Sequence, residues 1–162
     1  MKGIYTLIIQ LKAPVSMKIG ALGQIWLPGG IYLYTGSARG NGVSSIEGRV
    51  TRHLRKTKSN FWHIDYLLKH KLSQILVVVY SETKRSIECE VNESICRELK
   101  ACSPVTHFGS SDCTCRTHLL QVPDERSVRQ LIRKVRVAYR RLGLHSNFLY
   151  YFYPGLSGRR FC

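Results

Sequence analysis

The sequence predicts an α+β fold: a small, mainly antiparallel sheet of about three strands with helices packed on it, plus a basic C-terminal helix. Three observations lead there. Apolar runs rich in β-branched residues stand at 4–12, 30–35 and 73–80. Elsewhere apolar residues recur every three or four positions, the period of one helix face. The resulting order, strand, strand, helix, helix, strand, helix, suits antiparallel strands with helices laid against them.

Taken in order, residues 4–12 read as a buried strand. Residues 13–30 carry Pro14, Pro28 and several glycines, and are expected to form a loop or a strand-loop excursion. A second strand follows at 30–35, then a glycine-rich turn, Gly36-Ser37-Ala38-Arg39-Gly40-Asn41-Gly42, able to bring backbone close to a ligand. Ser44-Ser45-Ile46-Glu47 has the form of a capping box and opens a helix to about Lys58. Its apolar row is Ile46, Val50 and Leu54; Arg49 and His53, four apart, lie side by side on the next row. Residues 60–70 read as a short second helix. The run at 73–80 is apolar throughout and so belongs in the middle of the sheet.

Ser86 is the expected cap of a third helix ending near Lys100, with Ile87, Val91, Ile95 and Leu99 as its stripe. Residues 104–118 are loop-rich and end in strand-like 119–122. Pro123-Asp124 is the expected start of a last helix. Its apolar face is Val128, Leu131, Ile132, Val135, Ala138 and Leu142, while Arg126, Arg129, Arg133, Lys134, Arg136, Arg140 and Arg141 occupy the other. Residues 1–120 thus read as the main domain and 121–162 as a basic extension packed on it or appended to it.

Twenty-five Lys and Arg against ten acids give a net charge of +15, a field that draws polyanions, nucleic acid above all. The longest apolar runs, such as 75–80, fall far short of the roughly 20 residues of a membrane span. The N-terminus enters a strand pattern at once, without the features of a signal peptide, so a cytoplasmic, membrane-free protein is expected. The six cysteines show no disulfide framework. Cys89 and Cys96 fall inside the third helix, where a small apolar thiol is the plain reading. In Asp112-Cys113-Thr114-Cys115-Arg116-Thr117-His118, the pair Cys113 and Cys115 with His118 could hold Zn²⁺, with His107 or Cys102 as a further ligand. A structural turn at 109–112 is the simpler reading, because Cys-x-Cys is tighter than the usual loop-forming spacing.

One constellation remains. Gly3-Ile4-Tyr5 lies on the first strand and Tyr34-Thr35-Gly36 on the second; antiparallel pairing would bring Tyr5 and Tyr34 into one sheet. Gly30-Ile31-Tyr32 is too close to Tyr34 to sit on a separate strand. Arg49 and His53 follow on the next helix, and Glu88 and Glu90 open a later one. This order resembles the GIY-YIG nuclease superfamily, whose pattern is Gly-x-Tyr, Tyr-x-Gly, Arg with His four residues on, and a single metal-binding Glu. The long gap between Tyr5 and Tyr34 and the enlarged glycine-rich stretch depart from the usual pattern. With "YTGSARG", "RHLRK", "FWHIDYLL", "IECE" and "FGSSDC", they look like the small archaeal Uri-type endonucleases. The resemblance covers about residues 3–120.

It implies a metal-dependent endonuclease that hydrolyses DNA phosphodiester bonds, with DNA repair as the expected setting, using one Mg²⁺ or Mn²⁺ ion. Tyr5 or Tyr34 would position or deprotonate the water, and Arg49 would grip the scissile phosphate with its planar fork. His53 would orient the water or contact the same phosphate, with His63 as a further candidate. Glu88 or Glu90 would hold the ion among waters. At 100° per residue Glu88 lies inside the apolar stripe and Glu90 outside it, which favours Glu88. Many members carry Lys after Tyr-x-Gly where this chain has Ser37, so either Arg39 replaces that charge or the base is a different one. Gly36, Ser37, Arg39, Arg52, Arg55, Lys56, Lys58, Arg133 and Arg140 are the expected nucleic-acid contacts, with DNA favoured over RNA. The alternative is a non-catalytic DNA- or RNA-binding module of the same fold.

Overall fold

The computed structural model describes residues 1–151, so the C-terminal "SGRRFC" lies outside the described residues. Seven strands and four helices follow in chain order: β1 (Gly3–Leu11), β2 (Val15–Ile19), β3 (Gly23–Leu27), β4 (Gly30–Ala38), α1 (Ile46–Leu54), α2 (His63–Lys69), β5 (Ser73–Glu82), α3 (Glu88–Leu99), β6 (Leu119–Gln121), α4 (Val128–Arg141) and β7 (Asn147–Tyr150). Five strands form one sheet in the order β6-β4-β1-β5-β7, antiparallel at every pairing. The hairpin β2–β3 stands as a second, two-stranded sheet.

The central strands are apolar at nearly every position because both faces of the sheet are covered. Side chains alternate along a strand, so each face collects its own set. Tyr5, Leu7, Ile9, Tyr32, Tyr34 and Val78 pack with Ile46 and Val50 of α1 and with Ile64, Leu67 and Leu68 of α2. Ile4, Ile8, Leu33, Val77 and Val79 pack with Val91, Ile95 and Leu99 of α3 and with Leu131, Ile132, Val135 and Tyr139 of α4. Burying each such side chain contributes about 1.5–3 kcal/mol. The second layer also holds a polar contact: the Thr6 hydroxyl lies 3.0 Å from the Tyr139 hydroxyl and 3.2 Å from that of Thr35.

The sheet is larger than the expected three strands. The 13–30 excursion is the β2–β3 hairpin, β6 extends one border and β7 returns after α4 to pair with β5. Helix ends also shift, for local reasons. Ser45, not Ser44, caps α1, accepting from the Gly48 N–H at 3.2 Å, while Glu47 takes the terminal amine at 2.7 Å. Helix α1 stops at Leu54, where the Lys58 ammonium donates to the carbonyls of Arg52 and His53 at 3.1 and 2.9 Å. Helix α3 begins at Glu88, two residues after the expected cap, because the Ser86 hydroxyl accepts from Arg39 instead. Helix α4 begins after a Ser127–Gln130 capping box, four residues beyond Pro123-Asp124. No helix among the described residues is long and apolar enough to cross a membrane.

Candidate active site

The β1–β4 register sets Tyr5 opposite Gly36 and Leu7 opposite Tyr34. Tyr5 and Tyr34 are therefore diagonal neighbours on the sheet face covered by α1 and α2. Gly36 has a steric role here: a Cβ would stand 2.7 Å from the Tyr5 hydroxyl oxygen and 2.8 Å from Cζ. Tyr32 shares the face, but its hydroxyl donates to the Pro28 carbonyl at 2.5 Å.

Helix α1 lowers two side chains onto the pair. His53 Nε2 lies 2.8 Å from the Tyr5 hydroxyl, and its ring stands edge-on to Tyr34 at 6.3 Å between centroids. Burial pushes the His53 pKa down to about 3, reinforced by the Lys58 cation, so the imidazole is neutral at ordinary pH. Burial raises Tyr5 and Tyr34 above the usual phenol value, against the opposing pull of Arg49, and both stay protonated. The result is a phenolic proton beside a neutral imidazole able to accept it.

Arg49 and Arg52 both stack on Trp62, 4.8 and 4.9 Å from its ring centroid. Arg52 then donates to Asp65 at 2.7 Å. Asp65 is fully buried and also accepts the N–H groups of Phe61 and Trp62, each at 3.0 Å, with Lys58 at 3.6 Å. Burial alone would raise the Asp65 pKa, but those two N–H donors and the two cations hold it below the ordinary value. Arg49 is placed differently: its Nε is buried and has no acceptor. The Nε groups of Arg126 and Arg136 are likewise buried without an acceptor; Arg49 differs in that its guanidinium lies beside the Tyr5 hydroxyl and donates a hydrogen bond to it.

Glu88 opens α3, its side chain 22% exposed, with Arg39 NH2 3.0 Å from Oε2. Glu90 is exposed to solvent. The same Arg39 donates to the Ser86 hydroxyl, and its Nε reaches the half-buried Ser37 at 3.5 Å. His63 engages the 107–118 loop, accepting the Gly109 N–H at 3.1 Å on Nδ1 and packing on Phe108.

Several basic residues expected to hold phosphate make contacts within the fold. The Lys56 ammonium donates to the carbonyls of Leu68, His70 and Ser73 at 2.7, 3.1 and 2.6 Å. Lys58 closes α1, and Arg52 neutralises Asp65. Such carbonyl groups at helix ends need donors, and nearby lysines supply them. Arg55, Arg133 and Arg140 are exposed. On α4, Arg129, Arg133, Arg136 and Arg140 line a groove of about 450 Å³ with Phe148 and Tyr150.

Beside Glu88, Cys89 meets Cys113, Cys115 and His118, their donor atoms all within 4.8 Å of one another, a cluster that could hold a metal ion. Cys89 and Cys115 are joined as a disulfide, with Cα atoms 5.9 Å apart. The fourth member is thus Cys89, not Cys102 or His107. Cys102 is exposed and bridges to Gln121; His107 is exposed at φ 61°. Cys89 is not a plain apolar thiol, because α3 starts where its first turn faces the loop. Trp62 and Asp65, within the "FWHIDYLL" segment, are further members of the site, and of that segment the sequence singles out His63 alone as a site candidate.

The fold and site define an α+β protein with a Tyr–His–Arg cluster on one sheet face and a Cys₃His cluster beside it. The family model described as "Domain of unknown function DUF123" matches residues 4–141, and the chain belongs to that family. No curated protein and no solved structure matches the chain.

Proposed function

We propose that this protein is a metal-dependent endonuclease that hydrolyses phosphodiester bonds in DNA, as its resemblance to GIY-YIG nucleases implies. The observation that carries the reading is the Tyr5–His53 pair beside the unpartnered Nε of Arg49. A phosphate is the acceptor such a guanidinium fits: two of its oxygens match the fork, and negative charge grows on them in the transition state. Tyr5 would take a proton from the attacking water while passing its own to Nε2 of neutral His53, which needs no charge in the resting site. His53 therefore acts on Tyr5 and not on the phosphate. Tyr34 would align the water from the adjacent position.

The donors suit a hard divalent ion. Glu88 supplies one half-buried carboxylate, and Mg²⁺ or Mn²⁺ keeps most of its hydration when a single carboxylate holds it. When bound, the ion supplies Lewis-acid stabilisation of the phosphoryl oxygens. Arg39 occupies that carboxylate in the resting state and would yield it on loading. The arginine-lined groove on α4 would hold further phosphate backbone.

The test compares wild type, Arg49→Ala and Glu88→Ala on supercoiled, branched and single-stranded DNA and on RNA, with Mg²⁺ or with EDTA. Nicking that needs Mg²⁺ and falls at least 100-fold in both variants is the expected result, the loss typical of a transition-state contact. A second reading, a non-catalytic nucleic-acid-binding module, draws on the Arg39–Glu88 ion pair, which already satisfies the carboxylate. Tight binding with every substrate left intact by wild type would select it.

A further inference from the structure

We infer that Cys89, Cys113, Cys115 and His118 form a zinc site in the reduced protein. A tetrahedral Zn²⁺ with bonds of about 2.3 Å to sulfur and 2.0 Å to nitrogen separates a sulfur from a nitrogen ligand by about 3.5 Å. The sulfurs of Cys89 and Cys113 lie 3.6 and 3.4 Å from His118 Nε2. All four donors fall within 4.8 Å of one another, so once the Cys89–Cys115 bond is reduced and its two sulfurs part, side-chain adjustments close the tetrahedron. Three sulfurs and an imidazole are a soft set that selects zinc over magnesium, which keeps this site chemically separate from the Glu88 carboxylate.

The cluster is also supported from behind. The loop between Phe108 and His118 is closed by the His118 N–H on the Phe108 carbonyl at 2.8 Å and by the His107 N–H on the Arg116 carbonyl at 2.7 Å. The Cys113 N–H turns back onto the Ser110 carbonyl at 3.4 Å, and Gly109 takes φ +72°, so the chain curls as a ligand-bearing knuckle must. Asn92, one helical turn after Cys89, donates to the Thr117 carbonyl at 2.7 Å and docks the knuckle on α3. The knuckle also backs the candidate active site: Phe108 meets Tyr34 edge-on at 6.4 Å between ring centroids. Zinc would thus tie the first turn of α3, and with it Glu88, to the loop behind Tyr34.

The Cys89–Cys115 disulfide draws on two of the same sulfurs, so zinc binds only after a thiol or phosphine reductant has delivered two electrons to the S–S bond and left two thiolates, which makes bonded cysteines and bound zinc alternative states of one cluster.

The test is metal content, which does not depend on nuclease activity. Full-length protein made in zinc-supplemented cells and purified under a phosphine reductant should carry one zinc per chain by elemental analysis. Cys113→Ser and His118→Ala should fall at least tenfold in zinc, whereas Cys102→Ser keeps the full complement. His118→Cys, which restores a fourth soft ligand, should retain zinc and so separates loss of a ligand from loss of fold. Replacing zinc with Co²⁺ should give a thiolate charge-transfer band and tetrahedral ligand-field absorption. Reduced wild type without stoichiometric zinc, or equal zinc in wild type and His118→Ala, would overturn the inference.

Discussion

Gly36 sits directly across the sheet from Tyr5, and the phenol ring occupies the space a side chain at 36 would need. What position 36 contributes to this site is thus an absence of atoms. Gly36→Ala should push the Tyr5 ring away from His53 Nε2, because the new methyl would meet hydroxyl and ring carbon at 2.7 and 2.8 Å. We expect a loss of about 1–3 kcal/mol in chemical denaturation, the usual cost of overpacking. Loss of cleavage should exceed the fraction unfolded; equal loss of both would mean that Tyr5 placement is irrelevant to chemistry.

Asp65 is the counter-ion of the site's basic wall. Asp65→Ala should destabilise the fold by about 3–5 kcal/mol, because it strands the buried charge of Lys58 beside Arg52 and frees two N–H groups. Urea denaturation checks the value. Asp65→Asn, which keeps an acceptor, should cost less.

Acidification should weaken the fold through His53. Its folded pKa of about 3 lies below the unfolded value near 6.5, so between those limits the unfolded chain binds the extra proton. Stability attributable to this group is therefore full above pH 6.5 and declines as pH falls toward 3, by up to about 1.4 kcal/mol per pH unit. Around the imidazole stand Arg49 and Arg52 on α1, Lys58 beyond it, Asp65 on α2 and Tyr5 on β1, with the cations opposing protonation and Asp65 favouring it. Below about pH 4 Asp65 adds a loss of the same sign, since its carboxylate is favoured in the fold. Melts of wild type and His53→Gln from pH 7 to 4.5 should show a shallower slope in the variant.

Basic residues should divide into two groups. Lys56→Ala is expected to lower stability by about 1–3 kcal/mol, having removed a charged donor from three carbonyls, with little effect on DNA affinity. Arg133→Ala and Arg140→Ala, on the exposed groove, should leave the melt unchanged and each reduce the salt dependence of DNA binding by about one unit. Fluorescence anisotropy across a salt series distinguishes them.

The legible parts of this protein are those whose signal lies within one element. β1, β4 and β5 are long apolar runs, and α1 and α3 carry clean stripes, so local pattern suffices. Arg49 and His53 could be paired for the same reason, being one turn apart. The inward placement of Glu88 relative to Glu90 also follows from helical phase. What stays hidden depends on tertiary closure. Cys89 is 24 residues before Cys113, and only the docking of the 107–118 loop on α3 joins them. Charge count says nothing about where an ammonium ends up, so Lys56 and Lys58 read as surface cations although they close carbonyl groups. β7 is four residues long and only half-buried, too brief for a periodic signal, and gains its strand character from β5.

The pairing of β7 with β5 has a consequence for synthesis. The sheet ends in strands of three and four residues, too short to template a neighbouring molecule. Without residues 128–150, the ten-residue β5 would present an open border, and Ile4, Ile8 and Val79 would lose part of the layer that covers them. A nascent chain that has emerged only as far as Gln121 therefore exposes both an adhesive strand and an apolar face. Truncation there should yield an aggregating product, because the helix that covers the apolar face and the strand that closes the β5 border both lie within residues 128–150.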